Sequence, residues 1–402
     1  MKINNFLTAF AVLLLLSVIS GPFPLTAQVS LTNDNTASLF DNDIDNFMDP
    51  NDYDKVEFDS FFAALQHDAF YGDGFTSINP DTNLLSAGFA KYFGGIYAGL
   101  YYVGDIYEYM KDDNAGNEAH KTFNFVQAMI GSQSFGGIKV GFGIQQEWDT
   151  GNTPFGPVTA EYGIYTVMAG WGKNFELSNG STLKPEVNAA YVFPSSGGSA
   201  SFQGIDLSTL TGLSFSVDYI VAVSLETDWV LAPKENTERI CSFGYNLAVL
   251  HISSIVDFNM FFHTIFASYK QIYDLSEQFS VAFNCGIDFS LASFKMSSGG
   301  VSAKSSFLVF TPQAAAGFIY RFNSPFSVNA GLGLSYDITR TSISSGGGSV
   351  SDSTWDGFRV TTSAGGSFEP NSSLAIDFSW ASNNRYYDSN LGSLTLGVRI
   401  KR

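Results

Sequence analysis

Apolar and polar residues alternate along most of the chain, from about residue 85 to its end. In the stretch 213–225, every second residue from Leu213 to Leu225 is apolar, and the residues between them are mostly polar or small. A period of two is that of a β-strand with one apolar and one polar face. About fifteen such segments follow one another with no helical pattern between them, which predicts an all-β chain whose antiparallel sheet closes into a barrel.

Short and long connections alternate between these segments. Gly94-Gly95 and Asn179-Gly180 mark tight reversals, whereas long linkers are expected at 104–120 and 293–305. This alternation is typical of bacterial outer-membrane barrels, which have short periplasmic turns and longer external loops. An even number of strands then requires one more strand, which we place at 56–66 and pair with the last segment, 391–401, to make sixteen.

The segment 56–66 also fits a helix. Phe58, Phe61, Phe62 and Leu65 recur at the spacing of one helical face. A helix here would plug or line the lumen, and the barrel would then have fourteen strands.

The composition predicts a transmembrane barrel with its apolar face toward lipid. Only 14% of the 402 residues are charged, against about 25% in soluble domains. No internal apolar run reaches the roughly 18 residues that a spanning helix needs. Aromatic residues near strand ends, such as Trp171, Phe193, Trp229 and Trp380, are expected to form girdles at the two membrane surfaces.

Residues 1–27 have the pattern of a cleaved signal peptide, with Lys2, an apolar run at 6–19 and small residues before Ala27. We therefore divide the chain into a signal peptide (1–27), an acidic periplasmic segment (28–55) and a transmembrane β-barrel (56–402), located in the outer membrane. Residues 28–402 contain 19 basic and 38 acidic residues, a net charge of −19. This charge argues against a nucleic-acid partner and favours cations.

The polar phase of the strands predicts which charged side chains line the lumen. The candidates are Glu186, Asp218, Glu226, Asp288, Asp337 and Asp377, with Lys139, Arg321, Arg359 and Arg399 as fewer basic ones. Side chains of one charge sign bias the ions that enter a pore, so this lining predicts a preference for cations. The alternative is that the charges pair with one another across a small, plugged interior.

A weaker pattern concerns metal binding. Asp41, Asp43, Asp45 and Asp49 have the spacing of oxygen ligands in a calcium loop. However, Asn46 stands where that loop has glycine, and Asp52 where it has a bidentate glutamate. The alternative is a solvated acidic tail.

No residue pattern in the chain predicts catalysis or a bound cofactor. His251 and Ser253 are two residues apart on one strand face, which alone is a weak sign of a hydrolase. Cys241 and Cys285 fall on apolar phases two strands apart, too far for a disulfide.

The acidic residues 41–45, the pair Phe61-Phe62 and the glycine- and aromatic-rich hairpin 88–97 resemble the N-terminal part of spirochaetal outer-membrane barrels. As a whole the chain resembles bacterial outer-membrane β-barrel proteins, either porin-like or similar to fatty-acid transporters. The resemblance implies insertion into a lipid bilayer by the outer-membrane assembly machinery. One departure is that the chain ends in Ile400-Lys401-Arg402, where many such barrels end in an aromatic residue.

Three functions remain open from the sequence. The first is a channel or porin for small solutes that prefers cations. The second is a transporter of hydrophobic compounds through a plugged barrel, which the apolar segment 257–271 favours. The third is a surface-exposed binding protein that uses its external loops.

Overall fold

The computed structural model describes most of the chain between Ser60 and Lys401. The described residues are 60–70, 81–112, 117–132, 137–153, 156–194, 199–202, 205–206, 216–253, 257–298, 301–323, 325–345, 348–385 and 390–401. The predicted signal peptide and the calcium candidates Asp41, Asp43, Asp45 and Asp49 lie outside these residues. Within the described ranges, no helix is long and apolar enough to cross a membrane.

The described residues form nineteen β-strands, numbered in chain order. They are β1 (Ser60–Phe70), β2 (Asp81–Phe93), β3 (Ile96–Asp112), β4 (Asn117–Ser132), β5 (Ile138–Thr153), β6 (Gly156–Gly172), β7 (Phe175–Glu176), β8 (Thr182–Pro194), β9 (Ser199–Phe202), β10 (Ile205–Asp206), β11 (Ser216–Val230), β12 (Thr237–Ser253), β13 (Asp257–Asp274), β14 (Phe279–Ser298), β15 (Val301–Arg321), β16 (Phe326–Ser345), β17 (Gly348–Asn371), β18 (Leu374–Arg385) and β19 (Asn390–Lys401).

Sixteen of these strands form one closed antiparallel barrel. Each barrel strand pairs with the next along the chain, β8 standing between β6 and β11, while β7, β9 and β10 are short strands at the connections. β1 closes the barrel because it pairs with β2 on one side and β19 on the other, so that Leu65 lies opposite both Leu85 and Leu396.

This closure confirms the sixteen-stranded prediction. Residues 60–66 are strand, so the helical interpretation of 56–66 and the fourteen-stranded alternative are wrong. The physical reason is the sheet edge. Without β1, the backbone N–H and C=O groups along β2 and β19 would have no strand to pair with, which is costly in a bilayer.

The two ends of the barrel differ. At the turn end the connections are tight, and Gly94, Gly95 and Gly180 adopt positive φ angles of 58°, 95° and 78°, a conformation that side chains with a β-carbon rarely take. At the opposite, loop end, the long linkers predicted at 104–120 and 293–305 are mostly strand, since β3 runs to Asp112 and β15 begins at Val301. The strands extend past the predicted ends because antiparallel pairing is made by backbone hydrogen bonds and does not require one face to be apolar.

Exposure alternates along each strand as the sequence predicted. On β5, the outward Ile138, Val140 and Phe142 are 43–48% exposed, whereas Lys139 and Gln145, which have the opposite phase, are buried against the inner wall. The apolar face is therefore outside. A contiguous apolar surface of this extent on a closed sheet is the lipid-facing surface of a transmembrane barrel.

Outward aromatic rings form two belts, one near each end of the barrel and each along part of its circumference. Ring contacts of 5.5–6.4 Å at the loop end connect Phe142, Tyr165, Phe193, Tyr191, Tyr219 and His251. Similar contacts at the turn end connect Phe279, Tyr320, Phe322, Phe326 and Phe378. Tyr219 and the outward Trp229 are ten residues apart on β11, which on a strand tilted by roughly 40° spans about 25 Å, the height of a bilayer's apolar band.

Candidate functional site

Residues directly opposite each other on neighbouring strands form rows across the inner wall, because such residues point to the same face. One row runs from β8 to β15 through Glu186, Glu226, Gly244, Phe266, Asp288 and Thr311. Thr311 then donates a 2.8 Å hydrogen bond to Asp337 on β16. The row thus brings together four of the predicted lumen carboxylates, Glu186, Glu226, Asp288 and Asp337, which we call the acidic row.

Glu186, at one end of the acidic row, is held by a buried cation. Lys139 on β5 forms an ion pair with the Glu186 carboxylate, and the side chains of the two residues are 3% and 22% exposed. Asn188 donates a second hydrogen bond of 2.8 Å to the same carboxylate oxygen. Lys139 also offsets part of the repulsion between Glu186 and Glu226, which lie directly opposite each other.

Asp337, at the other end of the acidic row, is also paired. Arg359 on β17 forms an ion pair with it, and the side chain of Arg359 is 30% exposed while that of Asp337 is 9% exposed. Because Thr311 donates to the second oxygen of Asp337, both carboxylate oxygens have partners. At the two ends of the acidic row, lumen charges therefore pair with one another along the wall, and whether the interior is plugged stays a prediction.

The two central carboxylates have neutral hydrogen-bond donors. Ser224 donates to Glu226 at 2.7 Å, and the Glu226 side chain is exposed in the lumen. Gln313 donates to Asp288 at 3.3 Å. A neutral donor adds no positive charge to the carboxylate that it binds.

Asp377 lies outside the acidic row. Arg399 on β19 donates to the two carboxylate oxygens of Asp377 at 2.9 and 3.1 Å. The Asp377 side chain is 11% exposed and that of Arg399 is 7% exposed. Glu369 lies 3.5 Å from the same guanidinium group. The buried pair of Asp377 and Arg399 joins β18 to β19 beside the strand pair that closes the barrel, so its contacts are those of a structural ion pair.

The last candidate, Asp218, interrupts the strand register. The pairing of β11 with β12 shifts between Val217 and Tyr219, so Asp218 has no directly opposite partner and sits at a bulge. Its side chain lies outside the described residues, and its place in the lumen stays a prediction.

Four polar residues at the site were absent from the sequence prediction: Asn188, Ser224, Thr311 and Gln313. Asn188 and Ser224 are each two residues from an acidic-row glutamate on the same strand, so the period of two contained the signal that could have found them. In the ranges that the structure covers, no group of three His, Cys, Asp or Glu side chains is arranged to hold a metal ion.

No protein-family model and no curated protein matches the chain, but several solved structures do. CdiB from Acinetobacter baumannii matches with a TM-score of 0.47 and 8% identity, over 85% of this chain and 60% of that one. The CymD monoaromatic hydrocarbon channel matches with a TM-score of 0.41 and 11% identity, over 92% and 94%. The FrpB iron transporter from Neisseria meningitidis matches with a TM-score of 0.38 and 10% identity, over 87% and 83%.

These similarities concern architecture alone, and this chain spans only 60% of the length of CdiB. The stronger observations are in the molecule itself: a closed sheet of sixteen strands, an apolar outer surface, two aromatic belts, and polar rows inside. The chain therefore has the fold of a sixteen-stranded transmembrane β-barrel, the architecture found in bacterial outer membranes.

Proposed function

We propose that the protein is an outer-membrane channel for small hydrophilic solutes and that it prefers cations. Residues 1–27 would direct its export, and the turn end would face the periplasm, as is general for this class. We propose no enzymatic role.

The observation that carries this proposal is the acidic row. Barrels of sixteen strands are wide enough to leave an aqueous channel. Two carboxylates in the middle of the row, Glu226 and Asp288, have neutral donors, and Glu226 is exposed within the barrel. Carboxylates at one level of a pore raise the local concentration of cations and lower that of anions.

The test is the reversal potential of the protein in a planar bilayer that separates two KCl concentrations. We expect a potential of the sign that indicates K⁺ preference. Replacing both central carboxylates, by Glu226→Gln with Asp288→Asn, should move the potential toward zero, because the acidic row then loses two of its four carboxylates.

The control removes the same number of charges outside the inner wall. Glu176 on β7 and Glu277 in the β13–β14 turn are exposed at the turn end, and Glu176→Gln with Glu277→Gln should change the reversal potential much less. Anion preference in the unaltered protein, or equal shifts in the two double variants, would contradict the proposal.

A further inference from the structure

Two phenylalanines project into the lumen two rows from the acidic row, toward the loop end. Phe262 on β13 and Phe307 on β15 both lie opposite Ala292 on the strand between them. Register places all three on the inner face, yet the phenylalanines are 37% and 36% exposed. Outward phenylalanines are covered by lipid, whereas these two have no lipid to cover them.

The inner wall beside these rings is apolar toward the loop end. Phe294 contacts Phe307 edge to face at a centroid distance of 5.5 Å and contacts Phe258 at 6.0 Å. Phe258 and Met260 are 9% and 6% exposed, and they form a buried cluster with Val192, Ile220 and Leu250. Phe294 lies on the same inner face as Phe307, so the cluster continues the apolar inner surface from Phe307 toward the loop end.

The spacing of Phe262 and Phe307 suits a planar guest. Two strand spacings place their backbones about 10 Å apart, and aromatic rings stack at centroid separations of about 4.5–7 Å. This spacing therefore suits a single flat ring that lies over Ala292 and contacts both phenylalanines. Because the side chain of Ala292 is only a methyl group, it does not fill the space between the two phenylalanines.

Polar side chains lie between the two phenylalanines and the acidic row. Thr264 and Ser290 are hydrogen-bonded to each other at 3.0 Å, and Asn246 lies opposite Thr264. The Asn246 Oδ1 atom has no hydrogen-bond donor among the described residues. A ligand that carries a hydroxyl group would meet donors and acceptors here, whereas the acidic row would repel an anionic ligand.

We propose that Phe262 and Phe307 form an aromatic clamp over Ala292 that binds neutral, planar aromatic molecules bearing a hydroxyl group. This inference goes beyond the proposed cation channel. It requires the closed barrel but not ion conduction, so binding and conduction are measured independently.

The test is equilibrium dialysis of 1-naphthol against the protein in lipid nanodiscs, with empty nanodiscs to subtract partition into lipid. We expect saturable binding to the unaltered protein. The clamp variant, Phe262→Ala with Phe307→Ala, should bind about tenfold or more weakly, because it loses two aromatic contacts. The matched control, Phe261→Ala with Phe289→Ala, removes two outward rings that are 42% and 40% exposed and should bind as the unaltered protein does.

Three results would overturn the clamp: no saturable binding, equal affinity in the clamp and control variants, or equal binding of cyclohexanol and 1-naphthol.

A further measurement is the affinity of a variant that lacks residues 28–55 for 1-naphthol. Unchanged affinity supports a clamp open to small molecules, whereas much tighter binding would show that this segment of the chain is the occupant. The reversal potential of the clamp variant should equal that of the unaltered protein, so a failure of the channel proposal is seen separately.

Discussion

Phe266 lies across Gly244, its directly opposite residue in the middle of the acidic row. A β-carbon at Gly244 would stand 2.1 Å from both Cε1 and Cζ of the Phe266 ring. The ring can therefore rest against the wall only because position 244 has no side chain. Since Glu226 and Asp288 flank this pair on the row, the flat ring leaves the space between the two carboxylates open.

We expect Gly244→Ala to lower single-channel conductance, because the new methyl group would turn Phe266 away from the wall and into the lumen. The same crowding should cost about 1–3 kcal/mol of folding stability. Adding Phe266→Ala should restore conductance, since the ring that blocks the lumen is then absent. Reduced stability with unchanged conductance in the single variant would show that the ring moves elsewhere.

The facing of the strands is tested by a charge at the lipid surface. Leu332 on β16 is outward and 48% exposed, so Leu332→Arg should cost about 2–4 kcal/mol of stability in a bilayer. Ser363 on β17 faces the lumen opposite Gly331, and Ser363→Arg should cost clearly less. Urea unfolding of both variants in lipid vesicles gives the comparison, and equal costs would mean that the assigned faces are wrong.

The ion pair between Arg399 and Asp377 should contribute to stability rather than to conduction. Arg399→Met leaves a buried carboxylate without its guanidinium partner, and we expect a loss of about 3–5 kcal/mol in urea unfolding. Adding Asp377→Leu should recover much of that loss, because no buried charge then remains. A reversal potential that changes strongly in a folded Arg399→Met variant would instead assign this pair to the ion path.

Closure of the barrel by β1 and β19 is tested by a crosslink. Leu65 lies directly opposite Leu396, so Leu65→Cys with Leu396→Cys should form a disulfide, because opposite α-carbons in an antiparallel pair are within disulfide range. The background carries Cys241→Ser and Cys285→Ser, since both native cysteines are free. The control pairs Leu65→Cys with Leu394→Cys, two residues out of register, and should crosslink poorly. Equal yields would contradict the register.

The sequence by itself determined the class of fold and the face of most side chains. Alternation at Leu394 and Leu396, or at Ile138 and Val140, is a local property, because successive residues of a strand point to opposite sides whatever strand lies beside them. Positive-φ turns at Gly94 and Gly180 are local in the same way. Strand number followed from the need for an even, closed sheet, and it correctly required β1.

Only the tertiary structure decided which residues share a level of the lumen. Glu186, Glu226, Asp288 and Asp337 come from four different strands, and they align because of the hydrogen-bonded register between those strands. A shift of two residues in the register of any strand pair would leave every side chain on the same face of the sheet, but the four carboxylates would no longer lie in one row. The same non-local pairing placed Phe262 and Phe307 on either side of Ala292, and the partners Lys139 and Arg359 beside their carboxylates. Periodicity along the chain contains no information on that register, because it repeats identically at every second residue.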